Sequence, residues 1–159
     1  MNTELWLCLS VAAAGLWSGL LLTITTILHP MFARQDMAGF AGDLGRFLPI
    51  ARRAPVNYVL VVGLVVAPAG ALVAQWDARW SAPFVLTAIG FGLTFVGAFV
   101  MSRFLAEPNY EEILGWRPTE PAAALRPARY RYFVLNWLRG AFVWAAFACF
   151  LAATYLEWT

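Results

Sequence analysis

The chain contains no lysine, one histidine and two cysteines, and only 13% of its 159 residues are charged. A soluble domain carries about 25% charge and about 45–50% apolar residues. Here the hydrophobic share is 62%, so a single soluble domain is excluded on composition. The lone histidine, His29, excludes bis-histidine haem ligation within one chain. With no H-x-x-x-H, E-x-x-H or C-x-x-C spacing, no transition-metal centre is expected. Cys8 and Cys149 lie in separate apolar runs and read as small buried hydrophobes, not as a disulfide. No phosphate-binding glycine loop and no Ser-His-Asp order is present. Low-complexity segments and internal repeats are likewise missing.

What is present is membrane-shaped. Four nearly uncharged windows run from Leu5 to Leu28, Val56 to Gln75, Ala82 to Ser102 and Phe133 to Leu156. Each meets the requirement of about 20 residues for a helix crossing the hydrocarbon core. The expected fold is all-α, a single four-helix transmembrane domain, with helices at residues 5–28, 56–75, 82–105 and 133–156. Met1-Asn2-Thr3-Glu4 has no positive n-region, so the first run is expected to remain as a helix and not to be cleaved. All eleven basic residues are arginine. Nine of them fall in the segments after helices one and three: Arg34, Arg46, Arg52 and Arg53, then Arg103, Arg117, Arg126, Arg129 and Arg131. The opposite side has only Arg79, so the positive-inside rule places both large loops in the cytoplasm and both termini outside. A bacterial-type inner membrane is the expected location. Arginines placed this way set orientation and do not form a nucleic-acid footprint. Trp6, Trp76, Trp80 and Trp158 mark an aromatic belt on the outer side.

Within helix one, Ala12, Gly15 and Gly19 form a face without bulk, suited to close helix contact. Pro30 is expected to bend the chain at the cytoplasmic boundary. Beyond it, Met31, Phe32, Met37, Phe40, Leu44, Phe47 and Leu48 recur at helical spacing among charges, which predicts a cytoplasmic amphipathic segment. Pro68 predicts a kink in helix two, where Gly63 and Ala67 make a small-x-x-x-small step. Gly90, Gly92 and Gly97 favour close contact in helix three. Small-residue faces of this kind serve contacts between subunits as readily as within one, so a homo-oligomer is allowed.

The longest polar stretch, Glu107 to Arg139, carries Asn136 and Arg139 into apolar sequence. Tyr132, Asn136, Arg139 and Val143 fall at i, i+4, i+7 and i+11, one stripe of a helix beginning near Tyr132. An arginine at membrane depth costs about 2.5–3.5 kcal/mol on insertion scales and defaults to a functional hypothesis. The bland alternative is a side chain that snorkels or pairs with Glu107, Glu111 or Glu112. Pro108-Asn109 is expected to end helix three, and Trp116 reads as an interfacial ring. Taken with the stripe, Asn109 and Trp116 line one mouth of the bundle. His29 is the one group that titrates near neutral pH and is a general-base candidate, against the plainer reading of an interfacial histidine.

One motif joins these positions: Pro108-Asn109, Ile113-Leu114, Trp116, Pro118, Pro121, Leu125-Arg126, Arg129-Tyr130, then Asn136 and Arg139. With Gly15, Gly19 and Pro30 of the first helix, it resembles the small four-helix membrane family that contains the anthrone oxygenases of aromatic polyketide pathways. The family pattern often has histidine where this chain has Asn136. The resemblance implies a cofactor-independent monooxygenase that turns an anthrone or another electron-rich phenol into a quinone with molecular oxygen and no metal. In that reading Arg139 supplies charge, Asn109 and Asn136 hydrogen bonds, and Trp116 or Tyr132 a stacking surface. Asn57 and Tyr130 complete the substrate-binding set; His29 and Glu111 are the candidates for the base, with spontaneous ionisation of the substrate as the alternative. Two alternatives stand beside it: a non-catalytic membrane protein that binds a hydrophobic ligand or scaffolds a partner, and a haem or quinone redox protein using His29.

Overall fold

A computed structural model of the protein describes residues 2–159. The described residues form helices and short connections, with no strand. Five helices account for the fold. They are α1 (Thr3–Ala33), α2 (Met37–Arg53), α3 (Pro55–Ala74), α4 (Ala82–Gly115) and α5 (Ala122–Trp158). All except α2 are long and apolar enough to cross a membrane. Their outward faces carry Leu16, Ile27, Val59, Val62 and Phe95, all exposed, as expected where the solvent is hydrocarbon.

Three boundaries differ from the sequence expectation. Helix α1 continues past Pro30 to Ala33, and α4 continues past Pro108 to Gly115. Proline lacks an N–H, and its ring crowds the carbonyl four residues earlier. For Pro30 that carbonyl belongs to Thr26, and for Pro108 to Phe104. Both lie in π turns, Ile24–Leu28 and Ser102–Ala106. Such a turn shifts the ladder to i→i−5 bonds, as from His29 N–H to the Ile24 carbonyl and from Glu107 N–H to the Ser102 carbonyl. The extra residue accommodates each ring without ending the helix. The third difference is at α5, which begins at Ala122, not near Tyr132, and takes in the arginine-rich connector and Pro127. Arg139 is therefore about 25 Å along α5 from its first residue at 1.5 Å per residue.

The core has two main layers. In the bundle, Ala13, Ala14, Trp17 and Leu21 of α1 pack with Leu60 and Leu64 of α3, and with Val143, Ala146 and Phe150 of α5. At one end, Phe40, Leu44 and Leu48 of α2 pack on Tyr110 and Ile113 of α4 and on Leu125 and Tyr132 of α5. Helix α2 is thus amphipathic as expected and covers that end. Asp36 starts it, its carboxylate accepting from Gly39 N–H at 2.7 Å, and the Asn57 amide donates to the Ala51 carbonyl near its finish. Arg129 fixes the turn before it. Its guanidinium donates to the carbonyls of Phe32 and Gln35 and lies 5.2 Å from the centroid of the Phe40 ring.

The expected small-residue contacts are realised in part. A Cβ at Gly90 would meet the Phe150 ring at 2.7 Å, and one at Gly97 would meet Phe142 Cβ at 2.6 Å. Gly15 abuts Phe147, and Gly63 abuts Ala13. Gly19 and Gly92 meet nothing within 4 Å, and Ala12 is exposed. The packing face of α1 is instead the Ala13, Ala14, Trp17 and Leu21 side, which buries area that glycine cannot supply. Cys8 faces outward and Cys149 is half-buried; both are free. Helix α3 runs unbroken through Pro68.

Candidate functional site

Between the two core layers lies a cavity of about 500 Å³, within the roughly 300–1,000 Å³ typical of small-molecule sites. Its deep wall is apolar, formed by Trp17, Leu21 and Ile24 of α1, Val61 of α3 and Phe99 of α4. Leu48, Ala51 and Arg52 of α2 roof it, and Asn57 and Tyr58 of α3 stand at its side. The polar wall is Ser102, Glu107 and Tyr110 of α4, opposite Tyr132, Asn136 and Arg139 of α5.

The stripe on α5 follows from helical period. Tyr132, Asn136 and Val143 are buried and Arg139 is half-buried on the same side. The Arg139 Nη1 donates to the Tyr110 hydroxyl at 3.2 Å and to Asn136 Oδ1 at 3.4 Å. Asn136 is held in turn by its amide, which donates to the Tyr132 carbonyl at 3.0 Å. No carboxylate comes within ion-pairing distance of Arg139 among the described residues, and its Nε is buried without a partner. None of the three glutamates offered as partners pairs with Arg139: Glu107 lines the same cavity but pairs with Arg52, Glu112 pairs with Arg131, and Glu111 is exposed. A cation whose own hydrogen bonds go only to neutral groups retains an unmet demand for negative charge.

The face that α4 presents depends on its π turn at Ser102–Ala106. In a regular helix Ser102 and Glu107, five residues apart, would lie about 140° from each other. The wider turn between them, closed by the Glu107 to Ser102 bond, brings both to the cavity side. Tyr110 follows one turn later. Ser102 Oγ has no hydrogen-bond partner. The π turn in α1 begins at Ile24, which also lines the cavity.

The remaining sequence candidates are placed as follows. Asn57, Tyr132, Asn136 and Arg139 share the cavity. Asn109 is buried nearby but faces away. Its amide donates to the Ala128 carbonyl at 3.0 Å, and its Oδ1 accepts from Arg131 Nε at 3.0 Å, so it ties α4 to α5. His29 is buried outside the cavity, its ring 5.4 Å from that of Tyr132 and 4.8 Å from that of Phe133, with no hydrogen bond at either nitrogen. Trp116 packs against the core under α2, and Tyr130 is 71% exposed. Sequence reasoning missed Ser102, Tyr110, Trp17 and Arg52, and named Glu107 only as a partner for Arg139. The signal for Glu107 and Tyr110 was their i, i+3 spacing, obscured by the expected helix end at Pro108. No cluster of three or more His, Cys, Asp or Glu side chains suited to a metal ion occurs among the described residues.

No family model matches the chain, and no curated protein or solved structure proves similar to it.

Proposed function

We propose that the protein is a multi-pass membrane oxygenase of the anthrone-oxygenase type, acting without a cofactor on an electron-rich phenolic substrate. The observation that carries this reading is Arg139, a cation without a carboxylate partner that faces an apolar, aromatic-walled cavity. Such a pocket favours a flat hydrophobic molecule that carries, or develops, negative charge on oxygen. Arg139, Tyr110 and Asn136 then act as preorganised donors and dipoles around that oxygen, stronger than in water because the walls are dry. Tyr132 and Trp17 supply aromatic surface.

The reaction needs no resident oxidant. Loss of a proton from the acidic carbon gives an enolate, which passes one electron to oxygen. The resulting radical pair combines to a peroxide at that carbon. Protonation and loss of water then leave the carbonyl of the quinone, so that substrate and oxygen yield quinone and water. The enzyme's part is to hold the enolate and exclude bulk water. Besides Arg139, nine arginines gather at the cavity end of the bundle or in the segments joined to it. On the positive-inside rule that end faces the cytoplasm of a bacterial-type inner membrane, with both termini outside.

The test is oxygen uptake by purified, chelator-treated protein given anthrones and related hydroquinones. Uptake above the spontaneous rate, lost in Arg139→Ala, is the expected result. A panel with no protein-dependent uptake would overturn the reading. A second reading, a carrier of lipophilic anions, is favoured by one observation: the single carboxylate that lines the cavity among the described residues, Glu107, is already engaged by Arg52. Saturable phenolate binding with no oxygen uptake would select it.

A further inference from the structure

We infer that Glu107 is the general base of this site, taking the proton from the acidic carbon of the substrate while Arg139 and Tyr110 hold the enolate oxygen. The inference rests on the oxygenase reading and supplies what that reading lacks, since His29 and Glu111 do not line the cavity. Among the described residues, Glu107 is the one carboxylate that does. It stands one helical turn before Tyr110, about 4.5 Å along the axis, and the Tyr110 hydroxyl accepts from Arg139. Base and oxyanion donors therefore border one cavity, on neighbouring turns of α4. In anthrone the acidic carbon lies across the central ring from the carbonyl, so a base and oxyanion donors that border the same cavity can act on one molecule.

The carboxylate is also placed to release its proton. The Glu107 side chain is 34% exposed and that of its partner Arg52 41% exposed, so water reaches the pair at the mouth while Arg139 lies deeper. In the step proposed, the C–H bond breaks and its proton passes to a Glu107 oxygen. The electron pair delocalises onto the ring oxygen facing Arg139 Nη1 and Tyr110. The proton then leaves through the mouth or returns to carbon. The preceding π turn is what aims Glu107 inward, and Arg52, from the last turn of α2, positions the carboxylate from above.

Proton transfer separates cleanly from oxygen chemistry when oxygen is removed. With anthrone as the probe, in heavy water and under anaerobic conditions, deuterium uptake at the acidic carbon is followed by NMR, while quenching of tryptophan fluorescence reports binding. Wild-type protein should accelerate exchange above the solution rate. Glu107→Gln should lower the protein-dependent exchange rate by about 100-fold or more, the range of general-base catalysis, with affinity within about threefold. Glu107→Asp should retain part of the rate. Arg52→Gln removes the positioning ion pair but keeps the carboxylate; it should exchange more slowly than wild type yet well above Glu107→Gln, an outcome a purely structural ion pair does not predict. Unchanged exchange in Glu107→Gln, or wild-type protein that binds without exchanging, overturns the proposal. Exchange that depends on Glu107 with no oxygen uptake in air would uphold the base and remove the oxygenase reading. Oxygen uptake that survives Glu107→Gln would do the reverse.

Discussion

Replacing Arg139 with glutamine separates a ligand-binding cation from a structural one. The guanidinium makes two hydrogen bonds to neutral groups, at 3.2 and 3.4 Å, and no ion pair among the described residues. Its removal therefore deletes little native bonding and relieves a charge that costs about 2.5–3.5 kcal/mol at membrane depth. Unfolding stability in detergent should stay within about 1 kcal/mol of wild type or rise, by analogy with buried charges replaced by neutral groups. Ligand binding should move the other way. A hydrogen bond to a charged group contributes about 1.5–3 kcal/mol, which corresponds to a loss of roughly tenfold to one-hundred-fold in affinity for a phenolate. The O-methyl ether of the same phenol, which cannot ionise, should bind both proteins alike. Titration of tryptophan fluorescence, with Trp17 in the cavity wall, gives both constants, and thermal unfolding gives stability. Equal phenolate affinity in the two proteins, or collapse of the fold in the variant, would refute the reasoning.

Asn109→Ala should behave in the opposite way. It breaks the bonds to Ala128 and Arg131 that join α4 to α5, so stability should fall by about 1–3 kcal/mol while phenolate affinity per folded molecule is kept, as read by thermal unfolding and the same titration. Gly97→Ala places a Cβ 2.6 Å from Phe142 Cβ, an atom close to the backbone that yields little. A loss of about 1–3 kcal/mol is expected, whereas Gly92→Ala, with nothing within 4 Å, should be neutral or gain up to about 1 kcal/mol from helix propensity. In a background with Cys8 and Cys149 replaced by serine, a cysteine at Glu120 should resist an impermeant thiol reagent applied outside intact cells, and one at Arg79 should react. The reverse pattern would invert the proposed orientation.

The four spans were legible because runs of about 20 apolar residues have few other uses. The Tyr132, Asn136, Arg139 and Val143 stripe was legible because it depends only on helical period, and it holds although α5 begins ten residues earlier than expected. The end of α4 was not legible. Proline at position 108 reads as a stop, and nothing in the local sequence announces that a π turn will absorb it. That single feature hid Glu107 and Tyr110, since side chains beyond a supposed helix end have no assigned direction. Asn109 was read toward the mouth for the same reason; its true neighbours, Ala128 and Arg131, lie in a connector that sequence treated as loop. Arg129 likewise read as an orientation charge, although its fork of donors closes the turn between α1 and α2.

The most direct measurement is an experimental structure of the protein with a lipophilic phenolate bound. The ligand oxygen should lie within hydrogen-bonding distance of Arg139 Nη1, with its ring against Trp17 or Tyr132 and its opposite edge toward Glu107. A ligand seated outside the cavity, or lying in it with its oxygen turned away from Arg139, would contradict the account.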